Sequence, residues 1–379
     1  MANTMTGLIP TIYDAADIVS RELTGFIPAV TMDASADAAA INQTITYPVV
    51  GSNTAADIAA AATGPDPADT TVGYGSMSIT KSRGVTFYWT GEEVKSLGRN
   101  YRDILRDQFA QAMRTLANEV ETDLAGVYVS CSRAYGTAGT TPFASDLSDP
   151  ANVRKILADN GAPLGDLQMI IDTAAGAKLR TLGQLTKANE AGTTSMRERG
   201  VLLDLHGFMI RESAKVKAHT KGTGSGYAVN LAAGYAAGST SVALDTGSGT
   251  VVAGDIFSNS QSGRDSNKYV VKTALAGGSV VLGDPGIRNA WVDNDTVAVG
   301  ANYTANMAFT RSAIHLLARV PAMPAGGDSA DDVVVVSDAV SGLSFQVAMY
   351  RQRRRIAYEV GLAWGVKAVK PEHMAILLG

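Results

Sequence analysis

A single cysteine, Cys131, stands in the whole chain. No intramolecular disulfide can form, and thiolate zinc sites are excluded. Its neighbours Tyr128 and Val129 are apolar and no paired base is signalled nearby, so Cys131 reads as a small buried hydrophobe rather than a nucleophile. Histidine is nearly as scarce. His206, His219, His315 and His373 share no helix-face spacing and form no His-Glu-x-x-His motif, so no metal site is expected from them. An excess of positive charge is also missing: 32 Lys and Arg stand against 36 Asp and Glu, for a net charge of −4. A protein that gripped DNA over its whole surface would be basic, so only a local basic patch could serve that purpose.

Long apolar runs are absent too. Nothing approaches the run of about 18 residues that a membrane span needs. Residues 1–10 have neither the basic region nor the apolar core of a secretory signal. The expectation is a soluble product made in a reducing cytoplasm, with no membrane partner. Aromatic residues make up only 6% of the chain while glycine occurs 39 times, which favours turns and short strands over a helical bundle.

The glycine-rich stretches do not supply a nucleotide site. Gly222-Thr-Gly-Ser-Gly226 misplaces the third glycine of a dinucleotide fingerprint and lacks the strand–helix unit around it. Residues 249–254 have phosphate-loop spacing but continue into Asp255, where a lysine would be needed for charge. Asp328, Asp331 and Asp332 cluster, but not at calcium-loop spacing, and read as a solvated loop. Neither a catalytic constellation nor a cofactor is expected.

What is present is a chain that can bury real cores, with 46% hydrophobic residues and only 18% charged. Its length fits about two or three domains. Residues 8–23 carry Ile12, Ala15, Ala16, Val19 and Leu23 at helical spacing, with Thr11 as a cap, so a short amphipathic helix is expected. Residues 33–69 are low in charge, and 55–67 carry weak order signals. Strand-like runs at 44–50, 76–81 and 85–90 suggest a long loop built as an irregular hairpin, which buries little against its own chain. The clearest helix spans about 99–129. Its apolar stripe includes Tyr101, Leu105, Phe109, Met113, Leu116, Val120 and Leu124. Arg102, Asp103, Arg106, Arg114, Asn118 and Glu121 lie on the face expected to be solvated.

Asp149-Pro150 should open another helix, with a stop near Asn160-Gly161. A buried strand is expected at 167–172, a helix at 174–185, and paired strands at 201–205 and 207–213. The composition then changes. Residues 217–302 are rich in Gly, Ser, Thr and Val, with short strand-like runs at 227–231, 241–244, 255–258, 268–272, 280–282 and 296–299. That spacing suggests a small β-barrel or sandwich inserted into another domain. Residues 307–320 return to mixed patterning, 321–332 form a loop, and 333–337 is an apolar strand. Alternation from Leu343 to Met349 and from Ile356 to Trp364 predicts a hairpin. Its turn carries Arg351-Gln-Arg-Arg-Arg355. Arg351, Arg353, Arg354 and Arg355 are the candidate contact residues. Subunit contact is the favoured role and sequence-independent contact with DNA phosphates the second.

Residues 342–372, Gly-Leu-Ser-Phe-Gln-Val-Ala-Met-Tyr-Arg-Gln-Arg-Arg-Arg-Ile-Ala-Tyr-Glu-Val-Gly-Leu-Ala-Trp-Gly-Val-Lys-Ala-Val-Lys-Pro-Glu, resemble the end of coat proteins of short-tailed phages that carry an inserted telokin-like domain. Phe309-Thr-Arg-Ser-Ala-Ile-His-Leu-Leu-Ala-Arg-Val-Pro321 resembles the segment after the insertion in that group. Residues 8–30 are similar to its N-terminal arm.

The resemblance implies an α+β chain with the Hong Kong 97-type capsid fold. Residues 1–43 would be the N-terminal arm and 44–92 the E-loop. Residues 93–216 would hold the P-domain spine helix and the first part of the A-domain. Residues 217–302 would be the inserted β-barrel, and 303–379 the rest of the A- and P-domains. It implies a major capsid protein that self-assembles as pentamers and hexamers, with scaffolding and portal proteins, around packaged DNA that meets the inner face non-specifically. No motif carries over the lysine–asparagine crosslink of one relative, so no covalent crosslinks are expected. The rival readings are a phage tail or decoration protein with a β-rich domain, and a hydrolase.

Overall fold

A computed structural model describes residues 24–50, 72–186, 204–324, 326–338 and 341–379. The amphipathic helix expected at 8–23, the stretch 55–67 and the start of the strand expected at 201–205 lie outside these residues.

The spine of the molecule is a 26-residue helix, Tyr101–Gly126, about 39 Å long at 1.5 Å per residue. Leu105, Phe109, Met113, Leu116, Val120 and Leu124 are buried along one stripe, as the three- and four-residue spacing requires. That stripe packs on a six-stranded mixed sheet. The order is Thr31–Ala39, Ile314–Pro321, Arg355–Ala368, Ser344–Gln352, Asp332–Ser337, and Lys81–Thr90 pairs with the other edge of Arg355–Ala368. Phe109 meets Phe87 at 5.1 Å and Tyr358 at 5.4 Å between ring centroids, both edge-on. Asp123 binds two strands to the helix, accepting from Lys81 Nζ at 2.7 Å and from Trp364 Nε1 at 2.8 Å.

A second sheet holds the buried five-residue strands Leu167–Ile171 and Met374–Leu378. Tyr303–Thr310 lies between them and pairs antiparallel with both. Helices Ser148–Asp159 and Thr173–Arg180 contribute Val153, Leu157, Ala175 and Leu179 to its core. The sheet continues through Arg133–Tyr135 into six short strands: Tyr227–Val229, Ser241–Asp245, Ile256–Asn259, Lys268–Ala276, Ser279–Leu282 and Thr296–Val299. Their pairings close into a ring, because Ile256–Asn259 pairs with both Thr296–Val299 and Lys268–Ala276. Inside lies a separate core that includes Val229, Val242, Phe257, Tyr269, Leu282 and Trp291.

Several contacts join this ring to the rest, two of them prominent. Lys268 and Tyr269 pair with Ala134 and Arg133. Tyr128, just beyond the spine helix, hydrogen-bonds His219 Nδ1 at 2.9 Å, and His219 Nε2 meets Asp255 at 2.9 Å.

Thr44–Val50 and Val72–Ser78 form a two-stranded sheet that pairs with no other described strand. Gly75 lies opposite Tyr47, and a Cβ there would sit 2.2 Å from the Tyr47 ring. The glycine lets the aromatic ring lie across the partner strand.

Several expectations need correction. Glu121 is not on a solvated face: it is 1% exposed. Its carboxylate accepts the backbone N–H groups of Gly25, Phe26 and Ile27 and the Ser213 hydroxyl. Burial pushes its pKa up, and the N–H of Phe26, the Ser213 hydroxyl and the N–H groups of Ile27 and Gly25 partly offset that.

Residues 31–39, to which the sequence reading gave no strand, form a strand parallel to Ile314–Pro321. Arg83 and Gly84, left between the runs expected at 76–81 and 85–90, pair with Leu362 and Gly361 inside one ten-residue strand. Asp149 is not the cap of its helix. It lies in the first turn, and its carboxylate accepts the Phe143 N–H at 2.7 Å. The apolar strand expected at 333–337 is Asp332–Ser337, at a partly exposed edge of the sheet.

Candidate interaction site at the arginine hairpin

The register of Ser344–Gln352 with Arg355–Ala368 pairs Gln352 with Arg355, which leaves Arg353 and Arg354 as a two-residue turn. Arg354 takes a positive φ of 63°, a conformation that costs a side-chain-bearing residue about 1–2 kcal/mol. On the far edge of Arg355–Ala368, Thr90 pairs with Arg355. There the chain turns into a short helix, Gly91–Leu97, that the sequence reading missed. Thr90 and Glu93 form a capping box at its start; the Thr-x-x-Glu spacing was the signal that could have found it. The Gly91 N–H donates to the Arg354 carbonyl at 3.1 Å, joining helix to turn.

Arg351, Arg353, Arg354 and Arg355 are all exposed at this one end. The Arg355 guanidinium lies 4.9 Å from the Tyr88 ring centroid, and its Nε donates to Gln352 Oε1 at 2.5 Å. Arg354 approaches Glu92 at 3.7 Å, but the side chains are 82% and 89% exposed. Such a pair contributes at most about 1 kcal/mol.

The acidic loop comes to the same end because Asp332 pairs with Met349 across the edge of the sheet. Tyr350 donates its hydroxyl to Asp328 Oδ2 at 2.7 Å, and the Arg351 N–H donates to Asp331 Oδ2 at 2.5 Å. The Tyr350 hydroxyl holds the Asp328 carboxyl below its ordinary pKa. A groove between the hairpin and the short helix is lined by Trp89, Lys95, Arg353, Arg355 and Ile356. Cations over aromatic and aliphatic surface can hold a partner, and no nucleophile–base pair is among these residues.

The other candidate groups are dispersed. His206 lies at a turn with φ of 51°, where its carbonyl accepts from Arg154. His315 stacks near Tyr47, 6.5 Å between centroids, and His373 sits in the one-turn helix Pro371–His373. Burial pushes the Cys131 thiol far up, away from thiolate formation. Among the described residues no three His, Cys, Asp or Glu side chains group as metal ligands.

No protein-family model and no curated protein matches the chain. Among solved structures it is similar to one from Mycobacterium phage Che8, at 14% identity and a TM-score of 0.47, over 89% of this chain and 84% of that one. It is similar to the capsid structure of the Cyanophage P-SCSP1u at 11% identity and a TM-score of 0.47, over 92% and 86%. The third is a virus-like particle from Pyrococcus furiosus, at 9% identity and a TM-score of 0.45, over 98% and 99%.

Proposed function

We propose that this chain is the major capsid protein of a tailed bacteriophage, which self-assembles into the icosahedral shell around the double-stranded DNA genome. Its role is structural rather than catalytic. The observation that carries the reading is the segment 342–372, whose sequence resembles phage coat proteins. It forms the hairpin against which the spine helix packs, so the resemblance falls on the structural centre of the subunit.

The exposed hairpin of Thr44–Val50 and Val72–Ser78 supports the same reading. It has no other strand partner among the described residues, and Tyr74 is 78% exposed. Stable interfaces bury more than about 1,000 Å² in total, and extended elements supply such area without enlarging the core of the subunit.

In this reading the chain has the Hong Kong 97-type fold, with 1–43 as N-terminal arm, 44–92 as E-loop, 93–216 and 303–379 as P- and A-domains, and 217–302 as an inserted β-barrel domain. The ring of six strands with its own core favours that last assignment. Pentamers and hexamers assemble in the host cytoplasm with scaffolding and portal proteins, and the packaged DNA meets the inner face without sequence preference. The candidate arginines contact a neighbouring subunit.

Negative-stain microscopy of the full chain, expressed alone and with the scaffolding protein of its own genome, tests the reading. Hollow closed shells are expected. Tubes or fibres would assign it to a tail, and a small oligomer that coats finished capsids would make it a decoration protein.

A further inference from the structure

The hairpin end of the molecule is charged in a way that a surface for DNA would not be. The four arginines and Lys95 share it with Asp328, Asp331, Asp332, Glu92 and Glu93, five charges of each sign. A polyanion would meet as much repulsion as attraction there. The two loop aspartates are set apart from the turn. The loop of Asp328 and Asp331 flanks strand Ser344–Gln352 on the side away from Arg355–Ala368, while the turn Arg353-Arg354 projects from the end of that pair.

Among the described residues neither patch is fully neutralised, since Arg354 meets only the exposed Glu92, at 3.7 Å. Among the described residues, Arg353, Asp328 and Asp331 form no ion pair with their own chain, although all three are exposed. The carboxylates are nonetheless fixed in place. Asp328 is held by the Tyr350 hydroxyl and by the Ala330 N–H at 2.7 Å, and Asp331 by the Arg351 N–H. Each carboxylate is exposed and keeps capacity to accept further hydrogen bonds. An acidic loop held by these bonds, beside a turn whose Arg353 is unpaired among the described residues and whose Arg354 meets only the exposed Glu92, is complementary to a rotated copy of itself.

We propose that Arg353 and Arg354 of one subunit dock on Asp328 and Asp331 of the next copy of this chain around a rotation axis of the assembly. The two patches differ, so the contact is head-to-tail and closes into a ring rather than pairing two copies face to face. Opposite charge on the facing patches sets the register, and the wrong register places like charges together. This inference rests on the shell-forming reading and adds the partner surface to it.

Charge exchange in the full chain, co-expressed with its scaffolding protein, tests it. The first variant carries Arg353→Glu and Arg354→Glu, the second Asp328→Lys and Asp331→Lys, and the third all four changes. Each reversed pair is expected to cut the yield of closed particles by at least about tenfold. The fourfold variant should return to within about threefold of wild type, because the exchanged charges again match.

The thermal midpoint of the unassembled subunit separates lost contact from lost folding, since in the arginine variant, which loses only the exposed Arg354–Glu92 pair, it should fall by no more than about a few degrees. Reversed pairs that assemble like wild type, or a fourfold variant no better than either pair, would overturn the docking. So would an arginine variant that assembles normally while losing affinity for a 24-base-pair duplex, which would assign the turn to phosphate contact. A wild type that forms no particle under any condition would instead overturn the shell reading.

Discussion

Glu121 Oε1 accepts the backbone N–H of Phe26 at 2.8 Å, across 95 residues of sequence and inside the core. The same carboxylate takes the N–H groups of Gly25 at 2.6 Å and Ile27 at 3.0 Å. This turns one side chain of the spine helix into the acceptor for three successive amides. Phe26 and Ile27 are then held at 0% and 1% exposure under the helix. Buried N–H groups must find acceptors, and a carboxylate with two oxygens can serve several at once.

This relationship predicts a pH dependence. Burial raises the pKa of Glu121 above its ordinary value of 4.5. The folded chain therefore holds that proton more tightly than the unfolded chain. Its contribution to stability is full below the ordinary value and is lost as pH rises through the raised one. Glu121→Gln removes that slope. It also leaves an amide NH₂ facing one of the N–H donors, at a cost of about 1–3 kcal/mol. Urea unfolding of the unassembled subunit from acid to neutral pH checks both effects.

Phe109 is fully buried between Phe87 and Tyr358. Phe109→Ala should destabilise the subunit by about 3–5 kcal/mol, since the helix and sheet cannot close the resulting cavity. Chemical denaturation measures it; a loss under about 1 kcal/mol would show that helix and sheet are not packed as described.

Arg354→Gly should act in the opposite direction on the isolated subunit. Glycine adopts a φ of 63° without strain, which outweighs its added unfolded-state entropy by up to about 1 kcal/mol. A raised thermal midpoint is the expected result, and a lowered one would show that the side chain holds the turn.

Asp255 is buried and accepts from His219, from the Gly222 N–H at 3.0 Å and from the Val252 N–H at 2.8 Å. Asp255→Ala strands these donors and should cost about 3 kcal/mol or more. New protease cleavage near Gly222 is expected, because this network joins the six-stranded ring to the end of the spine helix. Intact resistance would place the joint elsewhere.

Deleting residues 217–302 takes away the strand that pairs with Arg133–Tyr135 and the histidine that meets Tyr128. A poorly folded or misassembling subunit should result. Normal shells seen by negative stain would make the segment dispensable.

What the sequence determined by itself was local. The stripe from Leu105 to Leu124 specifies a helix because its apolar period matches the helical repeat. Alternation on either side of Arg353-Arg354 specifies a hairpin. Short β-branched runs between glycines mark the six strands of residues 227–299, each within a few residues of where it lies. Tertiary structure decided the rest. Thr31–Ala39 is a strand only because Ile314–Pro321 lies beside it; its alanines and aspartates have little preference of their own. Met374–Leu378, unassigned in the sequence reading, is central because Tyr303–Thr310 and Arg133–Tyr135 enclose it. Glu121 looked like a surface residue because helical spacing gives its position but not its partners. The contacts of Asp328 with the Tyr350 hydroxyl and of Asp331 with the Arg351 N–H have no local signal either. It follows from the pairing of Asp332 with Met349, and register is a property of two strands together.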